Sequence, residues 1–154
     1  MRIFVIKYLI MRNIVSLLLI ASLFIGFSCK EEQKEQEGVA QMKKIIAIHD
    51  EVMPKMRDIG QLVGKLKPLV DSTEVGKKYD VAMKDLQDAH TSMMEWMQDF
   101  GNTFDYGQTM KGEPLSPKQL QLLDAEEEKV NEVADKINGS IERAEALLAN
   151  AKVE

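Results

Sequence analysis

Two short segments of this chain carry the same side chains at the same spacing. Residues 49–60 read His-Asp-Glu-Val-Met-Pro-Lys-Met-Arg-Asp-Ile-Gly, and residues 90–101 read His-Thr-Ser-Met-Met-Glu-Trp-Met-Gln-Asp-Phe-Gly. His49, Met53, Met56, Asp58 and Gly60 align with His90, Met94, Met97, Asp99 and Gly101, and Ile59 aligns with Phe100. A histidine with methionines four and seven residues on puts one imidazole and two thioethers on one helical face. Thioether sulfur is a soft ligand that favours Cu(I), and imidazole accepts copper as well. His49, Met53, Met56, His90, Met94 and Met97 therefore form a candidate copper or other soft-metal set. A haem with His/Met axial ligands is a lesser variant. No Cys-x-x-Cys-His occurs, so c-type haem attachment is excluded.

The same residues also have a plain structural use. Methionines at helical spacing fill cores. A buried imidazole needs a partner, because an unpaired polar group in a core costs about 1–3 kcal/mol. His49 and His90, bonded to Glu127 or Asn131, would make a polar layer that sets helix register. The repeat fits duplication of one helix, and it also fits chance among heptad-constrained sequences.

These side chains must be positioned by helices. From about Val39 to Leu66, apolar or semi-apolar residues recur at Met42, Ile46, His49, Met53, Met56 and Val63, in steps of three and four. Ile45, Val52, Ile59 and Leu66 form a flanking row. Together they make a wide core-facing stripe. Pro54 removes one backbone donor and predicts a kink near Asp50–Met53. A second helix is predicted from about Ser72 to Phe100, capped by Asp71 with Glu74 at the reciprocal position. Its seam is Met83, Leu86, His90, Met93, Met97 and Phe100, with Ala82, Ala89 and Trp96 alongside. Residues 101–115 are rich in turn formers and read as a loop. A third helix starts at Ser116-Pro117, with Gln119 closing a capping box. Its seam is Val130, Ala134, Ile137, Ile141, Ala144, Leu148 and Ala151.

The expected fold is all-α: an antiparallel, up-down-up three-helix bundle over residues 38–152. In a hairpin centred near Leu69–Val70, His49 faces position 91, next to His90. The two imidazoles are then expected in one buried layer between the first two helices. Continuation to the third helix brings that layer near Glu127.

The lone cysteine carries a different chemistry. Cys29 stands where the apolar run Ile14–Phe27 stops and Lys30-Glu31-Glu32-Gln33-Lys34-Glu35 begins. Arg12 precedes the run, and the small residue Ser28 precedes the cysteine. A basic start, a short apolar core and a small residue before the cut make a secretory signal. The core is short of the ~20 apolar residues a membrane span needs. Ile25-Gly26-Phe27-Ser28-Cys29 resembles the lipobox read by lipoprotein signal peptidase, with Gly26 where an aliphatic residue is usual. Residues 1–28 are thus expected to be a cleaved leader, with Met11 an alternative start. Cys29 becomes the acylated residue, carrying palmitate-type chains. Residues 29–37 follow as a charged, solvated tether. Lys30-Glu31-Glu32 resembles the acidic signal that sends some lipoproteins to the outer face of the outer membrane.

Removal of 28 of the 154 residues leaves 126, enough for one domain. The leader takes Arg2, Lys7 and Arg12 with it, so the net charge moves from −5 to −8. An acidic body argues against nucleic acid, which needs clustered Lys and Arg. It argues equally against electrostatic adhesion to anionic lipid. Acylation of Cys29 leaves the mature chain without a thiol, so thiolate catalysis is excluded. Serines and threonines lack the neighbouring histidine a nucleophile requires. Asp85, Asp88 and Glu126–Glu128 read as solvated faces rather than an acid/base pair.

The mature chain resembles a group of small bacterial lipoproteins labelled "viral A-type inclusion protein". The residues behind this are Ile48–Met56, His90–Met97 and the acidic third helix. The resemblance implies a helical lipoprotein and supplies neither catalytic residues nor a ligand; the label implies nothing about viruses. The expected function is that of a lipid-anchored envelope protein, placed at the outer membrane on its periplasmic or surface side. It would be a non-enzymatic binding or structural module for an unidentified envelope partner. Copper binding by the His/Met set is the alternative.

Overall fold

The computed structural model describes residues 33–151. Cys29, the leader and the first part of the expected tether lie outside the described residues. The chain divides into two compact units, Met1–Gly38 and Val39–Glu154. In the first, residues 33–38 are helical rather than an irregular tether. Glu, Gln and Lys are good helix formers even without an apolar face to bury. Gln33 Nε2 donates to Glu37 Oε1, one turn on, at 3.4 Å.

The second unit is all-α, with no strand among the described residues. Its helices are α1 (residues 39–52), α2 (Lys55–Leu66), α3 (Glu74–Thr103) and α4 (Pro117–Asn150). A 3₁₀ turn over Lys67–Leu69 follows α2, and a π turn over Gly107–Lys111 lies between α3 and α4. The single first helix expected from the sequence is therefore two. Pro54 has no N–H to offer the Asp50 carbonyl, so the ladder stops. Met53 N still donates to His49 O at 2.9 Å, and Met56 N to Met53 O at 3.1 Å, before α2 resumes.

Helix directions follow from the bonds between them. Lys44 Nζ donates to Glu127 Oε1, and Lys55 Nζ to Asn138 Oδ1 at 2.6 Å; both pairs are 83 residues apart. A constant difference means that α1 and α2 run parallel to α4. Lys136 Nζ donates to Ser92 Oγ at 3.4 Å and Arg143 Nε to Asp85 Oδ2 at 3.1 Å. Here one number rises as the other falls, so α3 is antiparallel to α4.

The core is centred on the row expected only as a flank. Ile45, Val52, Ile59 and Leu66 are at most 1% exposed, whereas Ile46, His49, Met53, Met56 and Val63 are half-buried at its edge. On α3, Ala82, Ala89 and Trp96 are buried with Leu86, Met93 and Phe100, while Met83 and Met97 sit at the edge. On both helices the aliphatic rows thus face inward, His49 stays half-buried at the edge and His90 is exposed. Burial of aliphatic area is favourable at ~25 cal/mol per Å², and an imidazole gains nothing comparable. On α4, Val130, Ala134, Ile137 and Ala144 are buried; Ile141 and Leu148 are half-buried and Ala151 is exposed.

Two helix starts differ in how well the sequence foretells them. Ser116 caps α4 as expected: its side chain accepts from Gln119 N, and Gln119 Oε1 accepts from Ser116 N at 2.9 Å. The cap of α3 is Thr73, not Asp71. Thr73 Oγ1 accepts from Gly76 N at 2.9 Å, while Asp71 Oδ1 accepts from Thr73 N at 2.9 Å and holds the threonine in place. Both side chains can cap, and the one nearer the first helical turn takes the role.

Candidate functional site

The groove beside His49 gathers the side chains with the richest ligand chemistry. It is lined by Ile46 and His49 from α1, by Trp96, Met97, Phe100 and Gly101 from α3, and by Phe104–Tyr106 and Thr109 beyond it; its volume is about 400 Å³. Positions 96, 100 and 104 recur at i+4 along one face, so their rings stack up the wall. Trp96 and Phe100 lie 4.8 Å apart between centroids, as do Phe100 and Phe104. These spacings are those of favourable offset aromatic pairs. Phe104 ends α3 in an extended conformation and is 2% exposed, which turns the chain over the top of the groove.

The closure beyond Phe104 is built, not loose. Gln108 N donates to Asp105 Oδ1 at 2.9 Å, and Asp105 N donates to Gln108 Oε1 at 3.1 Å. The amides of Gln108 and Gln119 pair reciprocally, and Gln119 Nε2 donates to Thr103 O at 2.7 Å. Gly112 at φ 70° then reverses the chain toward α4, a conformation that favours glycine. The region read as a plain loop thus joins the end of α3 to the start of α4 by side-chain amides.

His49 is fixed at both ring nitrogens. Nδ1 lies 2.9 Å from Asp50 Oδ1, and Nε2 lies 3.3 Å from Met97 Sδ. A carboxylate only accepts, so Nδ1 carries the proton. In the neutral ring, Nε2 then presents its lone pair to the thioether. The imidazole and the Trp96 ring lie 5.7 Å apart at 36°. Trp96 is 6% exposed and its Nε1 has no hydrogen-bond partner.

The structure separates most of the sequence-predicted metal set. His49 and Met97 come together; His90 and Met94 are exposed, and Met53 and Met56 are half-buried against the core. The expected buried layer of His49, His90 and Glu127 does not form. His90 lies in the outward row of α3, and the α3 residue bonded to His49 is Met97, two turns further on. Glu127 instead accepts from Lys44 and from Gln41, the latter at 3.2 Å. The Lys44 hydrogen bond holds the Glu127 carboxyl below its usual range, against a smaller opposing effect of burial. Among the described residues, no group of three or more His, Cys, Asp or Glu side chains is placed to hold a metal ion.

Glu126 is a buried charged residue that the spacing does not foretell. It is 5% exposed, with Oε1 accepting from Lys129 at 2.7 Å and Oε2 unpaired. In the sequence, Leu123, Glu127 and Val130 extend the α4 seam, with Glu126 and Glu128 expected in solvent. Leu123 and Val130 are spaced so that either 126 or 127 can fall between them on the apolar face. Spacing alone cannot choose; the packing places Glu126 inside. Its pairing raises the Lys129 ammonium above its ordinary value, chiefly through that hydrogen bond.

A second hollow, about 430 Å³, is lined by Lys77, Lys78, Val81, Ala82, Asp85, Arg143 and Leu147. Its one guanidinium is already bonded to Asp85, so the His49 groove offers more free chemistry. Among the described residues, no helix is long and apolar enough to cross a membrane. No protein family, curated protein or solved structure matches the chain.

Proposed function

We propose that the protein is a lipid-anchored component of the cell envelope, held by acylated Cys29, and that its helical unit is a non-enzymatic binding module. The observation that carries the binding role is the groove. It combines a stacked aromatic wall with an oriented imidazole. Pockets of this make-up, mostly apolar with a few placed polar groups, are the usual form of ligand and partner sites. The anchor is supported by the junction at Cys29. The partner is another envelope protein, presented to the groove from the same membrane. Tyr106, 69% exposed at the rim, is placed to meet it.

A photo-crosslinking residue at Tyr106 of the full chain, expressed in cells, tests both parts. The expected result is a discrete protein adduct in the membrane fraction, absent when the probe is moved to exposed Val75. Cys29→Ser should shift the chain to the soluble fraction and abolish the adduct. No adduct at Tyr106 removes the binding role, and unchanged membrane retention of Cys29→Ser removes the anchor.

A further inference from the structure

We infer that His49 Nε2 and Met97 Sδ form a binding site for a soft monovalent cation, Cu(I) or its silver congener, beside the indole of Trp96. The inference names the ligand of the groove and so rests on the groove being the binding site.

Three observations lead to it. The first is the separation of 3.3 Å between the two donor atoms. Taking zinc's bonds to imidazole nitrogen and thiolate sulfur as the guide, the two lengths are about 2.0 and 2.3 Å. Two such bonds meeting at roughly 100° span about that separation. The pair therefore stands near the separation of two ligands on one ion, at an angle a little tighter than tetrahedral. The second is the Asp50 carboxylate on Nδ1. It fixes the tautomer that leaves Nε2 free to ligate, as the outer partner of a metal-binding histidine does. With the Nδ1 proton held by Asp50, the Nε2 lone pair and a thioether lone pair can both be turned toward one ion between them. The third is the Trp96 ring beside the imidazole, 5.7 Å away between centroids, which walls the pair on one side with an apolar, polarisable surface suited to a soft ion.

The donor set selects the ion. Thioether sulfur binds Cu(I) well and hard or borderline divalent ions poorly. Two protein ligands leave coordination positions open toward the groove. A side chain of a docked partner can fill them, which suits an ion that is received and handed on. His90, Met94, Met53 and Met56 take no part in the site.

Trp96 is the only tryptophan in the chain, so its emission reports on the site directly. Ag(I), and Cu(I) under anaerobic conditions, are titrated into the full chain in detergent, with a chromophoric Cu(I) chelator in competition. The expected result is quenching that saturates at one equivalent, with Zn(II) producing none. His49→Ala and Met97→Leu should each weaken binding at least tenfold. Asp50→Asn should weaken it about tenfold, and His90→Ala should leave it unchanged. Circular dichroism of each variant separates lost binding from lost fold, and Met97→Leu keeps the apolar volume. No quenching, or quenching in His49→Ala and Met97→Leu as strong as in the unaltered chain, overturns the site. If the Tyr106 adduct persists in that case, only the ion is removed and the binding groove stands.

Discussion

Gly76 and Gly101 lie in the same helix and differ in what surrounds them. A Cβ at Gly76 would come within 1.9 Å of Asp71 Oδ1 and 2.6 Å of the Asp71 backbone nitrogen. The backbone there cannot retreat without undoing the Thr73 cap. At Gly101, on the groove wall, a Cβ would meet nothing within 4 Å. Gly76→Ala should therefore destabilise the protein by about 1–3 kcal/mol. Gly101→Ala should stabilise it by roughly 0.5–1 kcal/mol through helix propensity. Urea midpoints of the two variants check the opposite signs. Both glycines look alike in the sequence, because the space around a Cβ belongs to neighbours from elsewhere in the chain. The histidines teach the same lesson. His49 and His90 open matching segments, yet one meets a thioether and a carboxylate while the other faces water.

At the scale of elements, local chemistry carried furthest. The start of α4 was legible because a capping box needs only four consecutive residues. Ser116→Ala removes the acceptor for Gln119 N and should lower stability by about 0.5–2 kcal/mol. The decrease should appear in the denaturation midpoint with helix content unchanged. Gln119 also bonds Gln108 and Thr103, so Gln119→Ala should cost more than the Ser116 change. The break at Pro54 was legible as a kink, since a missing donor is a property of one residue. Whether it bends a helix or divides it depends on how the rods on either side pack. The rotation of α1 and α3 was legible in part: Met42, Leu86, Met93 and Phe100 are buried as expected, whereas His49 is half-buried and His90 exposed. Rows three residues apart both scored as apolar, and only the facing helices decide which turns inward.

For the whole molecule, charge pairing ties the first helices to the last. Glu127 joins Lys44 and Gln41 across α1 and α4, and Asp71 anchors the turn before α3. Both carboxyls are held below their ordinary values, Asp71 by the hydroxyl and backbone of Thr73, Glu127 first by Lys44. A lowered folded value means the ionised form is favoured by the fold. The contribution is present above the ordinary values of 3.8 and 4.5 and fades as pH falls through the lower folded ones. The thermal midpoint should therefore drop on acidification below about pH 4.5. Glu127→Gln should flatten that decline, measured as melting temperature against pH.

The residues by themselves determined the helical class, the cap of α4 and the interruption at Pro54. Each rests on backbone chemistry or on contiguous stretches of polarity. Only the tertiary structure decided the register of α1 against α3, and with it the partners of His49. Register depends on which of two near-equal rows buries more apolar area against another helix. That difference is a sum over surfaces brought together from distant parts of the chain. The same sum drew Glu126 inward, left His90 in solvent and put Met97 beside the imidazole.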